Sequence, residues 1–154
     1  EIEARGLTLY ELMEASSAWD IVAREFVREL EIAALEGYPS LSELLRATGD
    51  LNVAIVHTYL YILSRHPDTF VARKYGLRFV EKIPEAVEIG MEAAERVSER
   101  ARGVLELGGL LSEEGRRALL EFDEELAREG LNPGSTADIV AVSLFLALLL
   151  GFRP

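Results

Sequence analysis

Apolar side chains recur along this chain at the spacing of a helix, and no segment shows the alternation of a strand. The first part of the chain carries the clearest stripe, which consists of Leu12, Ala15, Trp19, Val22, Phe26, Leu30 and Ala33. Side chains three or four positions apart share one face of a helix. We therefore predict a first helix from about residue 8 to residue 36, ending at Gly37-Tyr38-Pro39.

Glycine, proline and capping residues divide the rest of the chain into further helices. The predicted segments run from about 40 to 49, 51 to 65, 68 to 102 with a kink or break at Pro84, 112 to 130, and 135 onwards. Ser135-Thr136-Ala137-Asp138 is predicted to be a capping box. The last helix is apolar on every face, which is typical of the centre of a bundle. The predicted fold is all-α, a single multi-helix bundle over residues 1–154 with a buried apolar C-terminal helix.

Composition narrows the classes of function. A chain of 154 residues with 49% hydrophobic content can bury a core. A net charge of −11 disfavours binding to nucleic acid and to acidic membranes. A small phosphorylated ligand stays compatible with that charge if basic side chains or divalent cations gather around it. The longest apolar stretch, residues 139–150, is too short to span a bilayer.

Cysteine is absent, which excludes disulfides, zinc–thiolate sites and a cysteine nucleophile. This absence fits a reducing compartment, and we expect the cytoplasm. The two histidines are His57 and His66. We interpret His57, in an apolar helix, as a hydrogen-bonded core residue rather than a catalyst, and His66 as exposed.

The first candidate site is residues 132–138, before and within the last predicted helix. A helix start presents free N–H groups and a positive dipole end, both of which suit phosphate. Gly134 would let a ligand approach the backbone, and Asp138 could hold a magnesium ion. Plain helix capping explains the same residues without a ligand.

The second candidate site is residues 66–76. On a helical wheel Arg73 falls between Leu77 and Val80, inside an apolar arc, and Lys74 lies on the flank. An arginine among core positions needs a partner, because an unpaired buried charge is costly. A polyphosphate and an internal carboxylate are the two alternatives.

The third candidate is Asp20, at the edge of the apolar stripe of the first helix. Glu31 shares that edge, and the two carboxylates could bind magnesium or orient a hydroxyl. A solvated helix flank is the alternative. Glu25 points away from the stripe and is predicted to lie on the surface.

Three segments together resemble a known family. Residues 131–138, continued by 143–146, are similar to the C-terminal signature of triphosphoribosyl-dephospho-CoA synthases. Residues 67–69 and 72–76 resemble that family's Pro-Asp-Thr…Arg-Lys-x-Gly segment. Residues 20–26 resemble its Asp-x-Ile-Ala-x-Gln-Tyr segment more loosely, with Glu and Phe in place of Gln and Tyr. Order and spacing agree along nearly the whole chain.

The resemblance implies an all-α transferase that uses ATP and dephospho-CoA. A ribose hydroxyl of dephospho-CoA would attack the anomeric carbon of ATP, adenine would leave, and the triphosphate would stay on the transferred ribose. The product is a precursor of the prosthetic group of an acyl carrier protein. Family members are about twice as long, so the resemblance implies the C-terminal half of an enzyme whose partners include the missing N-terminal half.

The resemblance also implies roles for single residues. The candidate catalytic carboxylates, with exchangeable roles, are Asp68, Asp138 and Asp20. The candidate triphosphate ligands are Arg73, Lys74, Asn132, Gly134, Ser135 and Thr136. The candidate ligands of Mg²⁺, the expected cofactor, are Asp68 and Asp138. The alternatives are a non-catalytic module for dimerisation or docking, including a homodimer, and a related nucleotide-processing enzyme with another acceptor.

Overall fold

A computed structural model describes residues 6–153 and contains helices and loops but no strand in that range. The α-helices are α1 (Leu9–Ser16), α2 (Ile21–Val27), α3 (Tyr38–Thr48), α4 (Leu51–Arg65), α5 (Thr69–Gly76), α6 (Ile83–Glu106), α7 (Glu113–Glu129) and α8 (Gly134–Leu149). A π-helical turn, Ala33–Gly37, precedes α3, and a 3₁₀ turn, Gly109–Leu111, precedes α7. The prediction of an all-α fold is confirmed. None of the described helices has the length and apolar character needed to cross a membrane.

The predicted first helix is in fact two short helices followed by the start of a third helical segment, residues 31–37, so that prediction was wrong. Asp20 interrupts it in an extended conformation (φ −125°, ψ 116°), and its carboxylate accepts hydrogen bonds from the amides of Val22 and Ala23 at the start of α2. Glu29 and Leu30 then adopt left-handed backbone angles, φ 57° and 64°, after α2 has ended. The apolar spacing could not reveal these breaks, because short helices keep the same local period.

The side chain of Glu25, a residue of α2, reaches across the break that follows this helix, which corrects the prediction that it lies on the surface. Its side chain is 5% exposed. The two carboxylate oxygens accept hydrogen bonds from the amides of Ile32 and Ala33, each at 2.8 Å. A carboxylate that receives such bonds is stabilised in the interior, since the N–H groups at a helix start replace lost water.

The π-helical turn explains why Pro39 does not end a helix as predicted. The Tyr38 amide donates to the carbonyl of Ala33, five residues earlier. The chain passes directly from this wide turn into α3, with Pro39 near its start, where a missing N–H costs least. Gly37 is needed here because a Cβ would lie 2.0 Å from the Ser143 hydroxyl of α8.

The main core lies between α4, α5, α6 and α7, and its fully buried members include Leu60, Leu63, Val71 and Val104. Helices α5 and α6 approach closely because two glycines face backbone. A Cβ on Gly76 would lie 1.8 Å from the carbonyl oxygen of Ala86, and one on Gly90 would lie 1.9 Å from that of Ala72. This close packing fixes the direction in which α5 presents its first turn.

The last helix is not the buried centre of the bundle. Ile139, Ser143 and Ala147 are buried on one side of α8, whereas Phe145 and Leu149 are 57% and 65% exposed on another. The apolar composition of α8 therefore predicted more burial than the described residues provide.

His57 is a core histidine, as predicted. It is 7% exposed, and its Nε2 accepts a hydrogen bond from the Leu110 amide at 3.0 Å. Burial lowers the pKa of His57. His66 is half-buried rather than exposed, because its Nε2 lies 3.0 Å from the Glu36 carboxylate.

We expect His57 to make folding stability fall in mildly acidic solution. The unfolded chain takes up a proton below about pH 6.5, whereas burial lowers the pKa of His57 in the folded chain and the Leu110 amide donates to the neutral imidazole. Stability should therefore decrease as pH falls through this region, by at most about 1.4 kcal/mol per pH unit. Urea unfolding at pH 7.5 and 5.5 measures this decrease. A His57→Leu variant should lose less stability between the two pH values than the parent, and an equal loss would contradict the expectation. A parallel His66→Leu variant is the control for replacing a histidine with leucine.

Candidate functional site

Three helices begin side by side at one place in the fold. These helices are α2, α5 and α8, whose starts are marked by Asp20, Asp68 and Pro133. The Ile21 amide donates to the Thr69 hydroxyl at 3.1 Å, and that hydroxyl lies 3.4 Å from the hydroxyl of Ser135. Because each helix start carries partial positive charge, their meeting point favours negative groups.

Asp68 holds two of these helix starts together. One carboxylate oxygen accepts hydrogen bonds from the amides of Phe70 and Val71, at 2.9 and 3.1 Å, and so caps α5. The other accepts from the amide and the hydroxyl of Thr136, at 2.7 and 2.8 Å. The side chain is fully buried. A single carboxylate thus supplies the cap of its own helix and that of α8.

The predicted capping box at 135–138 was wrong for this reason. Helix α8 begins at Gly134, so Ser135 and Thr136 already lie inside it, and Pro133 has no side-chain group to cap it. Asp68 performs that function from a distant part of the sequence. A local motif cannot reveal a cap that comes from another helix.

Burial governs the acid–base properties of this region. It raises the pKa of Asp68, while hydrogen bonds from Thr136, Val71 and Phe70 act in the opposite direction. It also raises the pKa of Tyr59, and the carboxylates of Asp68 and Asp123 add to that shift. The Tyr59 hydroxyl donates to the Pro133 carbonyl at 3.4 Å, which connects α4 to the start of α8.

A crevice opens beside the three helix starts. Its lining residues are Trp19, Asp20, Thr69, Phe70, Arg73, Val87 and Ser135. The Arg73 guanidinium stacks over the Phe70 ring, with the guanidinium carbon 4.8 Å from the ring centroid. Among residues 6–153, no carboxylate oxygen lies within 4.0 Å of the guanidinium nitrogens of Arg73. The internal ion pair that the sequence left open is therefore absent from the described residues.

The structure brings together part of the predicted site. Asp20, Arg73 and Ser135 line the crevice, and Asp68 and Thr136 lie directly behind it. The predicted triphosphate ligand Gly134 packs against the Phe70 ring, where a Cβ would lie 3.2 Å from a ring carbon.

Three predicted residues lie elsewhere. Lys74 and Asn132 are exposed and do not line the crevice. Asp138 is also exposed and lines a different, apolar crevice beside Phe26 and Val142. Thr136 and Asp138 are two positions apart on α8, and side chains at that spacing point to nearly opposite sides of a helix. Asp138 therefore faces away from the side on which Thr136 contacts Asp68.

The predicted magnesium pair is therefore not assembled in this structure. Asp68 uses both oxygens for hydrogen bonds inside the protein, and Asp138 lies on another side of α8. Within the range 6–153, no three His, Asp or Glu side chains are grouped as a metal site would require. The remaining carboxylate, Asp20, uses one oxygen to cap α2.

Thr69 is the site residue that the sequence interpretation missed. The sequence interpretation included it only as part of the resembling segment 67–69 and gave it no role in the site, whereas its hydroxyl connects the starts of α2 and α8. Its position directly after Asp68 was a usable signal, because adjacent residues at a helix start reach different neighbours.

Replacing Asp68 with asparagine should destabilise the fold by about 2 to 4 kcal/mol. An amide oxygen can serve only one of the two donor pairs, and the amide NH₂ must then face the other pair. Asp50 offers a matched control because it caps the start of α4 through the Val53 amide at an exposed position. Asp50→Asn should cost less than about 0.5 kcal/mol, since asparagine caps exposed helices as well as aspartate. Equal losses in urea unfolding would contradict the shared-cap interpretation.

Comparison with known proteins agrees with the segments identified in the sequence. Residues 1–153 match the family described as ATP:dephospho-CoA triphosphoribosyl transferase. The 2-(5''-triphosphoribosyl)-3'-dephosphocoenzyme-A synthase of Klebsiella pneumoniae is 31% identical over 112 residues, which are 73% of this chain and 32% of that protein. The synthase of the same name from Escherichia fergusonii is 31% identical over 106 residues, 68% of this chain and 30% of that protein.

A solved structure supports the same relationship. It is the crystal structure of an Archaeoglobus fulgidus protein assigned as a triphosphoribosyl-dephospho-CoA synthase. The TM-score is 0.68 at 32% identity, with 99% of this chain and 56% of that chain covered. The chain thus spans about a third of the curated relatives and somewhat over half of the solved one. It belongs to the ATP:dephospho-CoA triphosphoribosyl transferase family.

Proposed function

We propose that this chain carries the triphosphate-binding part of an enzyme that transfers a triphosphoribosyl group from ATP to dephospho-CoA. The observation that supports this most directly is Arg73, which has no carboxylate partner among the described residues and lies where three helix starts meet. A polyphosphate would supply the negative charge that this place favours. Family membership supports the same ligand.

In this proposal Arg73 is the principal ligand of the triphosphate. Its stacking on Phe70 holds the planar guanidinium while its N–H groups stay available. The Ser135 hydroxyl lines the same crevice and can donate to a phosphate oxygen. Thr136, whose amide and hydroxyl both donate to Asp68, supports the crevice rather than the ligand.

Asp68 is proposed as a positioning residue. Its hydrogen bonds to the first turns of α5 and α8 fix Arg73 relative to Ser135. Both side chains must point at the same ligand, so a small rotation of either helix would separate them. This role replaces direct metal binding, for which Asp68 has no free oxygen in this structure.

Asp20 is proposed as the carboxylate nearest the reacting ribose. It lines the crevice, and its Oδ2 is not used in capping α2. In the transfer, the acceptor hydroxyl forms a bond to the anomeric carbon, the bond from that carbon to adenine breaks, and adenine leaves with the electron pair. The hydroxyl proton is released to a base or to the departing adenine. Positive charge develops on the ribose in this step, and a nearby carboxylate stabilises it.

Magnesium is proposed to arrive with the nucleotide. The described carboxylates do not form a metal site of their own, so the triphosphate oxygens would provide most of its ligands. Asp20 is the crevice carboxylate that could contact such an ion. The absence of cysteine fits the reducing cytoplasm, which we propose as the location.

The whole reaction is proposed to need more of the family's enzyme than this chain contains. The curated relatives extend well beyond the matched region, and 44% of the solved relative lies outside it. The crevice itself holds only about 10 Å³ of open space, so the triphosphate is proposed to lie across its mouth. Groups that bind dephospho-CoA are assigned to the additional part of the enzyme.

Arg73→Ala should weaken the binding of Mg-ATP by about 10- to 100-fold, the loss expected for charge-assisted hydrogen bonds to phosphate. Lys74→Ala is the matched control, because it removes the adjacent cation from an exposed position outside the crevice. Calorimetric titration measures the affinity, and thermal unfolding tests whether the fold survives. A large loss of stability with unchanged affinity would show that Arg73 is structural.

Incubation with Mg-ATP and dephospho-CoA should release free adenine when the chain is supplied with the remaining part of a family enzyme. Chromatography with mass spectrometry detects both adenine and the triphosphoribosylated product. Asp20→Asn should lower the rate at saturating substrates far more than it lowers ATP affinity, since its charge acts on the transition state. No adenine from either the chain alone or the combined proteins would refute the proposed activity.

A further inference from the structure

Helix α8 presents an apolar surface that the described residues leave largely exposed. After Asp138, residues 139–152 contain no charged side chain. Val142, Phe145 and Leu149 lie on one side of α8 at helical spacing, and Phe145 and Leu149 are 57% and 65% exposed. We call this side of the helix, together with Phe26 of α2, the α8 face.

The α8 face extends into an apolar crevice between helices. Phe26 and Val142 line it together with Met13 and Leu30. Phe26 is itself 46% exposed. Apolar residues of three elements therefore form one continuous surface, which differs from the single exposed apolar residues found on any protein.

Helix α7 shows what a solvated helix of this chain looks like. Its exposed positions are mostly glutamate, aspartate and arginine, as in Glu113, Glu114, Arg116, Arg117 and Glu121. The exposed side of α8 has no comparable charge. A helix that is apolar all round is normally covered on all sides, so the sequence of α8 indicates burial that the described residues do not supply.

The length of the relatives indicates what covers it. In the Archaeoglobus fulgidus structure, 44% of the chain lies outside the matched region, although 99% of this chain is matched. In the curated relatives the unmatched share is larger still. The part of the family's enzyme that lies outside the matched region is therefore a candidate partner for the α8 face.

A second copy of this chain is a less suitable occupant. Each copy carries a net charge of −11, so a symmetric pair would bring two strongly acidic proteins together. Different chains can instead combine an apolar centre with opposite charge at the rim.

We infer that the α8 face is the docking surface for the part of the family's enzyme that lies outside this chain, bound through an apolar surface of its own. The inference rests on the proposed function and names the partner that completes it. The same turn of α8 carries Ser135 toward the nucleotide crevice and Asp138 toward the docking side. The α8 face begins at Val142, seven residues or about two helical turns after Ser135, so a segment docked there can extend past Asp138 to the crevice and contribute groups to it.

Single introduced cysteines test this docking directly, because the natural chain has none. The variants are Phe145→Cys on the α8 face and Leu120→Cys on α7, where the parent side chains are 57% and 66% exposed. The introduced cysteine is kept reduced until a maleimide is added. The rate of labelling is measured for each variant by itself and for each variant co-expressed with the unmatched segment of the Archaeoglobus fulgidus relative. The segment should slow labelling of Phe145→Cys at least 10-fold and leave Leu120→Cys unchanged.

Each result of the labelling experiment that contradicts the inference has its own meaning. Unchanged labelling of Phe145→Cys, or equal protection of both variants, would overturn the inference. Protection of Phe145→Cys that appears without the segment and increases with protein concentration would identify a second copy as the occupant. Labelling reports docking without any turnover. Protection without adenine release would therefore refute the proposed activity and leave the docking surface standing.

Discussion

The fold of the candidate site depends on one buried carboxylate that serves two helices. Asp68 accepts hydrogen bonds from the first turn of α5 and from Thr136 of α8, and it is fully buried. Taking a carboxylate out of water is costly, and burial raises its pKa accordingly. Backbone amides and a hydroxyl offset that cost only while both helices keep their positions. The interaction therefore links local capping to the placement of the site.

That constraint explains how an acidic protein can present a place suited to phosphate. The net charge is −11, yet the starts of α2, α5 and α8 meet beside the Arg73 side chain. The local field comes from oriented backbone groups and one cation rather than from the overall charge. Asp20 lines the same crevice, and the proposed function assigns its carboxylate to the positive charge that develops during transfer of a ribosyl group.

In the proposed complex, helix α8 connects this site to the remainder of the family's enzyme. Its first turn contributes Ser135 to the crevice, and its apolar outer side stays open over most of its length. A partner docked there would bury Phe145 and Leu149 and would hold the turn that contains Ser135. Completion of the enzyme and stabilisation of its nucleotide site would then be one event, because both depend on the position of α8.

The sequence by itself determined the helical class, most helix ends and the family. The predicted segment bounds at 49, 112 and 130 are where Gly49, Ser112 and Gly130 cap α3 and α7, since glycine and serine set backbone conformation and capping locally. The sequence also predicted that Arg73 and residues 134–136 would meet, but only through the resemblance. Tertiary structure decided that Asp68 caps α8, that Glu25 is buried and that Asp138 faces another crevice. These facts depend on contacts between residues far apart in the chain, which no local pattern of apolar and polar positions records.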